Sequence, residues 1–197
     1  MGSTPNGLLS RSIDACCSGN TKRLISILEY IRNVNFEDDH KFTALHKAAF
    51  RGHKDIVQLL LTNGASIEAM DEEKNTSLHL AAWSGHTSIV ELLVTQGAPI
   101  EASNVGTNTP LHIAVMNGQT SSVELLLTKG ASIEATNEEN CTPLQLAIWG
   151  AHTSTVELLL TKGASTEAMD KDKDTPLHLA AGKGETGILE LLLTCFN

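Results

Sequence analysis

Thr109-Pro-Leu-His112 is the stretch that decides the fold, because the chain repeats it: Thr43-Ala-Leu-His46, Thr76-Ser-Leu-His79, Thr142-Pro-Leu-Gln145 and Thr175-Pro-Leu-His178 follow one another at intervals of 33 residues. The same interval carries Gly64, Gly97, Gly130 and Gly163, and apolar runs that pass through Leu93, Leu126 and Leu159. A fixed period of this length is the signature of a stacked repeat array. Each unit reads as two short helices and a loop. Threonine is a good N-cap, since its hydroxyl accepts from an otherwise unpartnered backbone N–H. Pro110, Pro143 and Pro176 then stand where a missing N–H costs nothing. Small pairs such as Ala48-Ala49 and Ala81-Ala82 let a neighbouring helix come close, and Gly52, Gly85, Gly118 and Gly184 stop the helix. The second helix, Ile56 to Leu61 in the first full unit, has apolar residues at helical spacing. Helices of two or three turns are unstable alone in water, so unit must stack on unit, and stability becomes a sum of neighbour interfaces.

This pattern resembles the ankyrin repeat over residues 38–197. The resemblance implies an all-α solenoid of helix pairs with short β-hairpin loops and a concave face that binds proteins. The expected division is a disordered N-terminus at 1–7, a divergent N-terminal capping unit at 8–37, full units at 38–70, 71–103, 104–136 and 137–169, and a truncated C-terminal unit at 170–197. In the first of these, Ala15-Cys16 and Gly19 hold the repeat positions, and Leu24-Ile25 and Ile27-Leu28 supply a second helix. The last is as apolar as its neighbours. Its end is expected to be covered by further repeats of a longer array, by Cys195-Phe196, or by a partner.

Three departures from the family pattern are visible. Lys41, Lys74, Thr107, Asn140 and Lys173 stand where the family places a loop-tip glycine, so the tips are expected to bend differently or to be looser. Gly150-Ala151 reverses the usual order at the turn between helices, which places that turn in doubt by one residue. Glu68, Glu101, Glu134 and Glu167 replace the family's asparagine, which Asn35 keeps.

Composition narrows the function. The chain has 197 residues, 41% apolar, and a formal net charge of −9 with 14 Lys and Arg, which disfavours nucleic acid. No apolar run is long enough for a membrane span, no leader pattern begins the chain, and Asn6 stands where a myristoylation motif requires Ser or Thr. Cys16, Cys17, Cys141 and Cys195 form no paired framework, so free thiols in a reducing, cytoplasmic compartment are expected, with nucleus or a host-cell cytosol as alternatives. His46, His79, His112 and His178 recur one unit apart, about 8–10 Å for packed helices. Metal–nitrogen bonds of about 2 Å cannot bridge that distance, so these rings are expected to bond their own threonine and the next loop. No metal, cofactor or catalytic motif is found. The carboxylates of Asp71-Glu72-Glu73 and Glu138-Glu139 read as solvated loop charge.

Positions free to vary within a fixed repeat are those available for recognition. Seven residues after each threonine stand Phe50, Trp83, Met116, Trp149 and Gly182, a column suited either to anchoring a partner or to packing on the neighbouring helix. Beside it run Arg51, Ser84, Asn117, Gly150 and Lys183. By family analogy the residues before each threonine, Phe42, Asn75, Asn108, Cys141 and Asp174, face the same groove. The expected partner is a protein or peptide with a hydrophobic strip flanked by basic residues, drawn by the acidic loops. The expected role is a scaffold or adaptor; the alternative is the targeting or regulatory module of a larger enzyme, channel or bacterial effector.

Overall fold

A computed structural model describes residues 14–16, 18–29 and 33–194. The expected tail at 1–7, and Cys17 and Cys195, lie outside the described residues. Each threonine begins a helix by a reciprocal arrangement. Thr109 Oγ1 accepts from His112 N–H at 3.4 Å, and His112 Nδ1 accepts in return from Thr109 N–H at 3.1 Å. Two orphan donors of the first turn are thereby satisfied. Because Nδ1 accepts, the imidazole carries its proton on Nε2, which donates to the carbonyl of Ala135 at 3.0 Å in the following loop. His46 does the same between Thr43 and Asn75, and Gln145 copies it with an amide: Oε1 accepts from Thr142 N–H at 2.9 Å and Nε2 donates to Asp174 O at 2.9 Å. This column of side chains caps the first helix of each repeat, and His46, His112 and Gln145 also tie it to the next loop.

The chain forms two compact units, Met1–Pro99 and Ile100–Asn197. The first contains α1 (Thr21–Leu28), α2 (Ala44–Arg51), α3 (Lys54–Thr62), α4 (Ser77–Trp83) and α5 (Thr87–Thr95). Helix α2 packs on α3 and α4, and α5 on α3 and α4. The second contains α6 (Pro110–Met116), α7 (Thr120–Thr128), α8 (Pro143–Trp149), α9 (Thr153–Thr161), α10 (Pro176–Lys183) and α11 (Thr186–Thr194). Here α8 packs on α6, α9 and α10, while α11 closes on α9 and α10. Within each unit helix pairs stack, the architecture of an all-helical repeat solenoid. Leu45, Leu60, Leu78 and Leu93 fill the first core, and Leu111, Leu126, Leu144 and Leu159 the second, all essentially without exposed surface.

The loops differ from expectation, and a second column explains how. Asp38, Asp71, Asn104, Asn137 and Asp170 each accept, through Oδ1, the backbone N–H four residues ahead, at 2.7–3.0 Å. The same residue exchanges its backbone with that partner; Asp71 N–H, for example, donates to Asn75 O at 3.0 Å. Such Asx turns fix a loop without a ladder. In place of hairpins, the described residues contain a single isolated bridge, Glu37 to Thr43. Asp71 is accordingly buried, only 5% exposed, rather than solvated. Asp38 is half-buried; burial opposes its ionisation, but hydrogen bonds from Lys47, Phe42 N–H and His40 N–H prevail and hold its carboxyl below the usual range.

The tips adopt a conformation that glycine favours. Lys41, Lys74, Thr107, Asn140 and Lys173 all take the left-handed conformation, with φ between 54° and 66°. The Asx cradle imposes the shape whatever side chain stands there. Neighbouring tips also join: Glu72 N–H donates to His40 O, and Lys171 N–H to Glu139 O. The glutamate column is likewise structural in part, since Glu101 and Glu134 accept from the N–H groups of Ser132 and Ser165 at 2.8 and 2.7 Å. Asn35 accepts from Ser66 N–H in the same way. The equivalent partner for Glu68 is Pro99, which has no N–H to give.

The turn in doubt keeps its register. Ala151, at φ 54°, takes the left-handed place that Gly52 and Gly118 hold elsewhere, and Gly150 has φ −81°. A Cβ at Gly150 would lie 2.4 Å from the His152 ring as it stands, so the ring would have to shift to admit one. An L-residue with a side chain pays about 1 kcal/mol in this conformation. Ala151→Gly is therefore expected to stabilise the protein by about 0.5–1 kcal/mol, seen as a higher urea midpoint with an unchanged slope; a lower midpoint would contradict the strain.

Candidate functional site

Helices α2, α4, α6 and α8 bury nearly all of their apolar side chains, with one consistent exception. Phe50, Trp83, Met116 and Trp149, at the same repeat position, remain 42%, 52%, 47% and 53% exposed. Each stands at or next to its helix's last residue. The backbone beneath Phe50, Met116 and Trp149 is held from the next repeat. His86 Nε2 donates to Phe50 O and His152 Nε2 to Met116 O, both at 3.1 Å. These rings lie where a Cβ on Gly52 or Gly118 would be, about 2.7 Å away, so a glycine is required there for close approach as well as for its positive φ. In α10 the column has Gly182 and its partner position has Glu185 instead of histidine. Lys183 takes over: its ammonium bonds Trp149 O and lies 4.8 Å from the indole centroid.

The other expected partner-binding residues divide by what they already hold. Arg51 and Lys183 are exposed, Ser84 and Phe42 half-buried. Asn117 donates its amide to Ile113 O at 2.8 Å and so caps its own helix. Asn75 donates to the Asp71 carboxylate at 3.2 Å, and Asn108 Oδ1 accepts from Asn137 at 3.1 Å. Asp174 is half-buried, with its N–H and C=O in the loop framework. Cys141 is buried, 7% exposed, with Sγ 3.8 Å from Glu139 O.

Two cavities open beside the exposed column, one in each unit. In the first, Phe42, Phe50 and Leu80 form the apolar lining of about 230 Å3, bordered by Lys47 and Arg51. Lys47 is anchored there, 3.0 Å from the Asp38 carboxylate and 4.0 Å from the Phe42 centroid. In the second unit, Met116, Cys141, Leu146 and Trp149 line a space of about 330 Å3 whose border carries Glu139, Asp170 and Asp172 together with Lys171. Cys141 and Leu146 occupy the repeat positions that Phe42 and Lys47 fill in the first unit, so a smaller and an apolar side chain widen the second space. Sequence reading passed over Leu146, Lys47 and Lys171. The available signal was the variation at the fourth residue after each threonine, where Lys47 stands among Leu80, Ile113, Leu146 and Leu179. It also passed over Met70 and Met169, loop residues one position apart from the glutamate-alanine pair and 43% and 58% exposed.

Among the described residues no group of three or more His, Cys, Asp or Glu is placed to hold a metal ion, and no helix is long and apolar enough to cross a membrane. Cys16 and Cys141 are free thiols. Burial first, and then the charges of Asp170, Glu139 and Asp172, push the Cys141 thiol above its ordinary value, the opposite of an activated nucleophile.

The chain matches the family described as "Ankyrin repeats (3 copies)" over residues 13–104, 63–137 and 101–170, and "Ankyrin repeat" over 172–196. It is 36% identical over 70 residues to "Ankyrin repeat domain-containing protein 49" of Bos taurus, and 37% identical over 70 residues to the protein of that name from Homo sapiens. The aligned stretch is 36% of this chain and spans only 29% and 28% of those relatives' lengths.

Proposed function

Because this chain belongs to the ankyrin-repeat family, we propose that it is a non-catalytic interaction module, a scaffold or adaptor that holds a partner protein or peptide against the exposed column of its first helices. Proteins of this family generally mediate protein–protein interaction. One observation carries the reading to these residues: four large apolar side chains stay about half exposed at one repeat position, on helices that otherwise bury their apolar residues. Large aromatic and methionine side chains in such settings are the usual interface anchors. Phe50, Trp83, Met116 and Trp149 are the proposed anchors, with Phe42, Arg51, Ser84, Asn117 and Lys183 at their edges. Asn75, Asn108, Cys141 and Asp174 contribute shape more than free hydrogen-bonding groups. The proposed partner carries an apolar strip flanked by basic residues, and the setting is intracellular. The division into one divergent and five repeating units belongs to the same proposal.

The test is capture of binding partners by the full chain and by Trp83→Ala and Trp149→Ala, with circular dichroism as the control for folding. Each substitution is expected to weaken binding at least tenfold, about 1.4 kcal/mol, at unchanged helicity. Unchanged binding with a lowered melting temperature would return both residues to packing. A second reading places the same surface in a larger enzyme, channel or effector as its targeting or regulatory module. Among the described residues of α10 and α11, Leu193 is 52% exposed, Ala181 exposed and Leu177 and Leu189 half-exposed, apolar surface of the kind a neighbouring domain would pack against.

A further inference from the structure

The second unit's cavity has a floor and a border of different chemistry, and together they select one kind of side chain. Met116, Leu146 and Trp149 offer apolar surface. Glu139, Asp170 and Asp172 put three carboxylates on the border against the ammonium of Lys171, which is 3.4 Å from Glu139 in a pair more than half exposed on both sides, and that of Lys183, 4.8 Å from the Trp149 centroid. An exposed pair of this kind is weak and readily exchanged. Asp170 spends Oδ1 on the N–H groups of Asp172 and Asp174. The Glu139 and Asp172 carboxylates stand outside that turn framework. A space of about 330 Å3 is at the small end for ligand sites, which suits one or two side chains.

We propose that this cavity anchors one long basic side chain of the partner, lysine or arginine, with its methylene stem on Trp149, Met116 and Leu146 and its charge between Glu139 and Asp172. The inference rests on the interaction reading above and names the residue type that one subsite takes. Only a side chain apolar along its stem and cationic at its end matches both surfaces. A neutral aliphatic chain would cover the floor but strip water from carboxylates without replacing it, and an acidic one would be repelled. One further observation agrees. The negative field reaches the cavity's interior, where Asp170, Glu139 and Asp172 add to burial in raising the Cys141 thiol. The first unit's cavity is an internal contrast: its border is Lys47 and Arg51, and no carboxylate lines it.

The experiment titrates the full chain with three capped amino acids, N-acetyl-arginine, N-acetyl-norleucine and N-acetyl-glutamate N-methylamides, while following the indole N–H signals by NMR. The arginine probe is expected to shift the Trp149 signal saturably and to bind at least threefold more tightly than norleucine, with no response to glutamate. In the double variant Glu139→Gln, Asp172→Asn that preference should disappear. Equal binding of arginine and norleucine, a Trp149 signal unmoved by arginine, or a preference that survives the double variant would each overturn the proposal. Partner capture separates it from the broader reading. Capture that needs Trp149 but ignores the double variant sinks the basic anchor alone, whereas capture indifferent to both tryptophans sinks the interaction surface and leaves the probe titration to decide the cavity.

Discussion

Leu144→Ala is expected to lower stability by about 3 kcal/mol, within the range of about 2–5 kcal/mol for a fully buried leucine. Leu144 has no exposed surface, and its helix α8 packs against α6, α9 and α10. In a stack, each helix pair is stable only through its neighbours, so a cavity at this point weakens the contacts to both sides. Urea unfolding followed at 222 nm should show the midpoint fall. The slope should fall as well if the flanking repeats begin to unfold separately. A loss below about 1 kcal/mol would mean that the site collapses around the missing atoms and that the interior is not close-packed there.

The second large effect is expected at His112, where leucine should cost about 3 kcal/mol and glutamine almost nothing. Leucine leaves the buried Thr109 N–H without its partner, at about 1–3 kcal/mol, and takes the donor from the half-buried Ala135 carbonyl, partly offset by apolar burial. Glutamine can restore both bonds, as Gln145 does between Thr142 N–H and Ala168 O. The two variants also separate in pH. Burial pushes His112 and His46 below the ordinary histidine value, despite the carbonyls that accept from them. A group whose folded-state pKa is lowered binds fewer protons in the native state, so its contribution is complete above the free value of about 6.5. It is lost as pH falls through that value toward the lowered one. Acidification from about pH 7.5 to 5.5 should therefore destabilise the native chain, and less so His112→Gln. Equal acid sensitivity in the two proteins would remove His112 as a cause.

Periodicity made the helices legible, because the threonine, proline, alanine and glycine positions each have a backbone reason that local sequence expresses. The loops were harder to read. Asp38, Asp71, Asn104, Asn137 and Asp170 share one acceptor oxygen, yet a reading by charge sorts them into acids and amides and hides the column. Glu101 and Glu134 were obscured in the same way, since they act as acceptors for a loop one repeat on rather than as a field. Thr107 at φ 54° is a conformation that local preference argues against; the surrounding hydrogen bonds override it. The exposed aromatic column was visible as a column. The cavity beside Trp149 was not, since Met116, Leu146 and Asp172 come from three successive repeats and meet only through the stacking.

The loop tips have a practical corollary. Since position 38 and its equivalents carry the turn, the residue at the apex is free to change identity while the main chain around it stays put. Labels or cross-linking groups carried on the side chains at Lys41, Thr107 or Lys173 should leave the spacing of successive repeats intact. Diversity at these apices then becomes a matter of chemistry alone, uncoupled from architecture.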